Sequence, residues 1–223
     1  MEGVFILRGA LGVAVCCSVS GNSKMTIQHI EAAGNLLATY HSDLTRIRDF
    51  HRCKKGRISE WEYAGTLSDF LNEFRVARCV RKNGIKKLLA LTLRWVDGSN
   101  PNDVDNFAKQ LREQGLTHGK TMTVLASKLL FLNNPQTILP FDDYTKKAVG
   151  LKENIYAEYE SRLSNFRKQE IEEIKRNLAF IGGYLLVIES EFRDELQDIE
   201  TVRENRYIDK LLWTIGRAKK NYR

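Results

Sequence analysis

From Ile27 onward, apolar residues recur at intervals of three and four, as in Ile30, Ala33, Leu37 and Tyr40 and again in Leu67, Phe70, Leu71 and Phe74. That period belongs to helices with one buried face. Ser59 and Glu62 stand at capping-box spacing and predict a helix start, with the helix running on to Phe74. Further helices are expected over residues 85–96, 104–114, 124–132, 155–166, 171–188 and 202–215. A turn cluster at 97–103 separates the first two of these, and Gly115 ends the second. The three prolines, Pro101, Pro135 and Pro140, all fall in the central region, which leaves longer helices to the two ends.

Alternating apolar and polar residues, the mark of strands, are scarce, so the pattern predicts an all-α fold. The one stretch that competes is 180–188, short and rich enough in β-branched residues to suit a strand. Gly182-Gly183 within it reads as a kink or a point of close packing. The organisation expected is a single helical domain over residues 25–223, or two packed lobes, preceded by an extension over 1–24. Residues 3–19 of that extension are apolar and rich in small side chains but interrupted by Arg8, too short a run for a membrane span. A signal peptide lacks its usual charged start and cleavage site here, and the favoured reading is an extra helix or strand over 4–15 lying against the body.

Composition adds a partner class. The 223 residues carry a net charge of +7 with 43% hydrophobic content, enough for a substantial core and basic enough to favour a polyanion such as DNA. Basic residues cluster at 46–57, 75–87, 146–152 and 217–223, and acidic ones between 153 and 204, so converging clusters would form one basic face. The four cysteines, Cys16, Cys17, Cys53 and Cys79, lack paired Cys-x-x-Cys spacing and suit a reducing, cytoplasmic compartment. His51 and Cys53 have no second ligand pair, so no metal is expected.

The chemistry is concentrated between Gly119 and Gly150, where a Gly-Lys-Thr turn, an apolar helix and an acidic Pro-containing loop follow one another. Gly119-Lys120-Thr121, then a helix, then Pro135 to Asp142, resembles the catalytic unit of the helix-hairpin-helix DNA glycosylases, in particular the 8-oxoguanine glycosylase-like branch. Residues 126–130, 139–143 and 206–213 are similar to blocks in bacterial members of that branch. The resemblance implies a multi-helix glycosylase-like fold with a hairpin at 115–121. It also implies hydrolysis of the N-glycosidic bond of a damaged or modified base, with or without lyase activity, in base-excision repair or in defence against phage with modified DNA. The alternative is a non-catalytic helical nucleic-acid-binding or protein-interaction protein on the same scaffold.

Carried onto this chain, the resemblance gives Lys120 as the amine that attacks the sugar C1′ and Asp142 as the carboxylate that stabilises the cationic sugar or activates the nucleophile. Lys128 is the substitute for Lys120, and Asp143 the substitute for Asp142 one residue along. Gly115 and Gly119 can offer backbone N–H groups to a DNA phosphate, with Lys146 and Lys147 extending the contact, and Phe141 or Tyr144 can stack on an extruded base. Two departures stand out: the hairpin glycines are spaced more widely than Gly-x-Gly, and the helix between Lys120 and Asp142 is about one turn longer than the family's. The iron–sulfur cysteines of some relatives are missing from the C-terminal end, so no cofactor is expected. The expected partner is DNA, with no membrane contact, and the expected state is a monomer.

Overall fold

A computed structural model describes residues 26–221. Among them are eight α-helices and no strand: α1 (Ile27–Lys54), α2 (Glu60–Glu73), α3 (Ile85–Val96), α4 (Val104–Glu113), α5 (Thr123–Asn133), α6 (Asp143–Ala148), α7 (Tyr156–Glu189) and α8 (Ile199–Asn221). The expected extra element over 4–15, together with Cys16 and Cys17, lies outside the described residues. No described helix is long and apolar enough to cross a membrane.

The helix starts follow their side chains. Thr26, Ser59 and Asp103 each accept a backbone N–H three residues on, which satisfies one of the donors a helix leaves unpaired at its N-terminus. The ends are equally regular. At the end of α4, Gly115 N–H bonds the Arg112 carbonyl and Leu116 N–H bonds that of Leu111, with Gly115 at φ +71°. This is a Schellman cap, whose left-handed residue is ordinarily glycine. Gly56 and Gly150 close α1 and α6 in the same way. At the end of α2 the same two bonds form around Arg75, an arginine at φ +55°.

The sequence divides 155–188 into two helices, yet α7 is one helix of 34 residues. Its joint, Arg167-Lys168-Gln169-Glu170, consists of good helix formers with no breaker, and the polarity there reflects a solvated face and not an end. The stretch 180–188 is helical too, because Ile181 and Leu185 bury one stripe four residues apart, and Gly182 and Gly183 sit in open space.

Helix α5 is apolar on all faces and is the buried centre of the fold, packed by α1, α3 and α4. Its single charged residue is Lys128. Helix α1 packs against α2, α5, α7 and α8, and α6 lies along α8. The α6–α8 approach depends on Gly216, where a Cβ would come within 1.9 Å of the Tyr144 carbonyl oxygen.

Two charged clusters tie the core together. Arg206, fully buried on α8, bonds Asp43 of α1 through Nε and Nη2 at 3.0 and 2.6 Å and Asp209 through Nη1 at 2.9 Å. Its guanidinium also lies over the Phe131 ring. Glu189, equally buried at the end of α7, accepts from Tyr40 at 2.8 Å and from Arg203 at 2.6 and 2.5 Å. Buried charges persist only when paired and hydrogen-bonded to this extent.

Candidate active site

The loop from Asn134 to Asp142 is fixed almost atom by atom. Ile138 N–H bonds the Asn134 carbonyl at 2.9 Å, and the Tyr156 hydroxyl both accepts from Leu139 N–H and donates to its carbonyl. Phe141 N–H then donates to Ser127 Oγ at 3.0 Å. Side chains on an extended segment alternate, so Pro140 and Asp142 face one side while Phe141 faces the other. Phe141 is fully buried against Tyr156 and Tyr159, and its expected role as a base-stacking residue is corrected to one in the core.

Asp142 is the N-cap of α6. Its Oδ1 accepts from Tyr144 and Thr145 N–H at 2.8 and 2.9 Å, and Thr145 Oγ1 accepts from Asp142 N–H, completing a capping box. Oδ2 takes no hydrogen bond among the described residues, so the cap occupies one carboxylate oxygen and leaves the other for chemistry. Asp143 is the first residue of the helix, with its side chain 78% exposed.

Asp142 lines a pocket of about 610 Å³, within the range that holds a small ligand. Its floor and walls come from α5 (Lys128), α8 (Asp209, Lys210, Trp213), α1 (Asn35, Thr39) and the segment after α2. Lys128 is 3% exposed, with Nζ 3.3 Å from the Phe74 carbonyl and 5.0 Å from the centre of the Phe74 ring. Burial pulls its ammonium below the ordinary lysine value, and the carboxylates of Asp142 and Asp209 oppose that shift. Burial likewise pushes the Asp209 carboxyl up against the pull of Arg206 and Lys210. Lys210 is drawn down, first by burial and then by Arg206. Ionisable groups shifted by burial and gathered in one cleft make it a candidate site.

The mouth is aromatic and basic. Tyr144 and Trp213 meet edge to face at 5.4 Å, and Arg217 lies 4.8 Å from the Trp213 ring centre. Arg75 and Arg78, both exposed, also line the pocket. The basic clusters at 75–87, 146–152 and 217–223 thus each bring a residue to this region or its neighbouring helix. Within the cluster at 46–57, Arg46 is paired with Glu73 and Arg52 with Glu195, and Arg217 of the last cluster is paired with Glu31.

Of the residues singled out by sequence, the pocket brings together Lys128, Asp142, Asp143 and Tyr144. Lys120 is not among its lining residues; it sits exposed on the α4–α5 hairpin. Its backbone is held by Thr117, which accepts from its N–H at 2.9 Å and donates Oγ1 to its carbonyl. Gly115 has its N–H committed to the cap of α4 and cannot offer it to a phosphate, which corrects that expectation. Gly119, at φ +77°, is exposed on the hairpin, and Lys147 is exposed on α6. The Lys146 ammonium is bonded to Asn154 at 2.7 Å.

Asp209, Lys210, Arg75 and Arg78 were not singled out by sequence. The spacing 206, 209, 210, 213 carried a signal, since it sets three charges and a tryptophan on one face of an otherwise well-buried helix.

A second cleft, about 400 Å³, lies at the end of α1 and is lined by His51, Lys54, Lys55 and Asp97 among others. Lys54 there is already paired with Asp97 and Asn133, and His51 Nε2 lies 2.9 Å from the Asn133 carbonyl. Among the described residues no group of three or more His, Cys, Asp or Glu side chains could hold a metal ion. Comparison with protein-family models, with curated proteins and with solved structures finds no match to this chain.

Proposed function

We propose that the protein is a DNA N-glycosylase that hydrolyses the bond between a modified base and deoxyribose. The observation that carries the reading is the joint presence, in one pocket, of a desolvated lysine, Lys128, and a helix-capping carboxylate with one oxygen unbonded, Asp142. A base extruded from the duplex fits a pocket of this size, with Trp213 and Tyr144 at its mouth and Arg75 and Arg78 beside it for the phosphates.

Cleavage of the glycosidic bond builds positive charge on the sugar, and the base leaves with the bonding pair. The carboxylate of Asp142 stabilises that cation, and because Oδ1 is pinned by two N–H groups the group needs no reorganisation as the charge develops. Water then adds at C1′ in a monofunctional reaction. With lyase competence, the neutral Lys128 amine adds there instead and goes on to a Schiff base with the opened sugar. A lysine reacts in this way only when burial lowers its pKa, which favours Lys128 over Lys120 for the part.

The test is release of free base, read by mass spectrometry, from duplexes carrying oxidised, alkylated or phage-type modified bases. Asp142→Asn keeps the helix cap, because asparagine caps as well as aspartate. It is expected to lower release roughly 10²–10⁴-fold while DNA binding persists. Unchanged release by the variant, or no release from any substrate by the parent chain, rejects the assignment in favour of a helical DNA-binding protein without catalysis.

A further inference from the structure

Between Arg176 and Glu189, α7 carries no charged residue over twelve positions, yet much of that stretch faces solvent. Phe180 is 78% exposed, and Tyr184 and Val187 are each 71% exposed. At about 100° per residue these three side chains, with Gly183 and Arg176, fall within an arc of about 100°. They repeat in steps of three and four, the spacing of a helix–helix seam.

The neighbouring helix extends the patch. Helix α1 runs parallel to α7, His29 meeting Asn177 at one end and Tyr40 meeting Glu189 at the other. By the same helical geometry, Ile30, 54% exposed, and the half-buried Leu37 project to the side that carries Phe180 and Tyr184. Asn35 and Thr39, which line the pocket, lie roughly 140–180° round α1 from those two residues, so the patch and the pocket are on different sides. A contiguous apolar surface of this kind marks an interaction site, whereas scattered exposed apolar residues do not.

The order of residues along the seam says what covers it. Reversing α7 about the point between Gly183 and Tyr184 sets Phe180 against Val187, Gly183 against Tyr184 and Arg176 against Glu191. Each pair is complementary. A Cβ on Gly182 or Gly183 would meet nothing within 4 Å, so the glycines leave room for an aromatic ring. Arg176 and Glu191 keep side chains 52% and 61% exposed, each held, among the described residues, only by a neighbour on the same copy, Glu173 and His41. We infer that the protein forms a two-fold dimer through this face, with α7 of the two copies antiparallel. In it Tyr184 of the partner subunit lies over Gly183, and Arg176 pairs with Glu191 of the partner subunit. A surface that matches its own reverse is what an isologous interface requires.

The test is the mass of the full chain by sedimentation or light scattering across micromolar concentrations. The expected value is twice the 25.7 kDa of one chain, falling to a single chain for Tyr184→Glu, whose side chain is exposed enough that circular dichroism should be unchanged. Arg176→Glu and Glu191→Arg are each expected to weaken dimerisation at least tenfold, and the double substitution to restore it, because reversal of both charges recreates the pair. A mass of one chain at every concentration overturns the inference. So does a dimer indifferent to Tyr184→Glu, or a double variant no better than the singles. These readouts do not depend on any activity of the pocket.

Discussion

Lys120 and Lys128 are eight residues apart, bracket the start of the same helix, and live in opposite environments. On the hairpin, the N–H and carbonyl of Lys120 are both bonded to Thr117, with its side chain in water. The wall that holds Lys128 is the buried face of α5, where the amine has a carbonyl, an aromatic ring and two carboxylates around it in place of water. A motif names a residue type at a position; reactivity comes from the desolvation that only tertiary packing provides. The two diverge because α5 carries Lys128 into the pocket wall, while the hairpin leaves Lys120 outside the pocket's lining.

The sharpest way to break this contrast is covalent trapping. With borohydride and a substrate duplex, Lys128→Met is expected to abolish any protein–DNA adduct, while Lys120→Met leaves it intact. An adduct that survives the first and vanishes with the second reverses the assignment. The pH profile refines it. Burial lowers the folded-state pKa of Lys128, so the neutral amine gains population as pH rises through a value below the ordinary lysine one. Trapping should rise with it. Stability follows the same sign: between the folded and unfolded pKa the unfolded chain binds the extra proton, so this lysine's contribution to stability grows with rising pH. Lys128→Met should remove that slope.

The next largest effect is on the pocket floor. Asp43→Ala leaves Arg206 buried with Asp209 alone and takes from Lys210 a carboxylate 3.9 Å away. Removing one partner of a buried ion pair costs about 3–5 kcal/mol, measurable by denaturant unfolding. The exposed pair of Glu31 and Arg217 is the control, expected to contribute no more than about 1 kcal/mol. Equal losses at the two would mean that the floor is no more desolvated than the surface.

How much of this was legible in the chain depended on how local each cause is. Helices α3, α4 and α5 matched the pattern to within a residue or so because their period and caps are written in neighbouring residues. The cap at Asp142 was legible for the same reason: Pro140, Asp142 and Thr145 lie within a few residues of each other. The single helix α7 was missed because polar residues at its joint look alike on a solvated face and at an end. Phe141 was misread since only the Ser127 contact fixes which way that extended loop alternates. Asp209 carried a local signal in the spacing 206, 209, 210, 213, but its burial beside the Arg206–Asp43 pair was out of reach, because Asp43 is 163 positions from Arg206.

Arg75 offers a smaller effect of two opposite signs. As the left-handed residue of the cap on α2 it holds φ +55°, where a Cβ is disfavoured. Arg75→Gly is therefore expected to stabilise the fold by about 0.5–1 kcal/mol, the relieved strain being partly offset by the freer unfolded chain. The same change removes a cation from the pocket mouth and should lower the salt dependence of DNA binding by about one counterion. A variant that is more stable and binds DNA unchanged would take Arg75 out of the interface.

Lys120 itself carries the least. Its side chain is exposed, and its ordered contacts are made by its backbone, through Thr117. Lys120→Met is thus expected to shift unfolding by no more than about 0.5 kcal/mol and to leave the rate of base release unchanged. A modest loss of DNA affinity that disappears at high salt is compatible with a surface cation near the backbone. A fall in release at saturating DNA is not, because it would give chemistry to a solvated amine outside the pocket's lining. That single measurement decides whether the hairpin belongs to binding alone or to the chemistry.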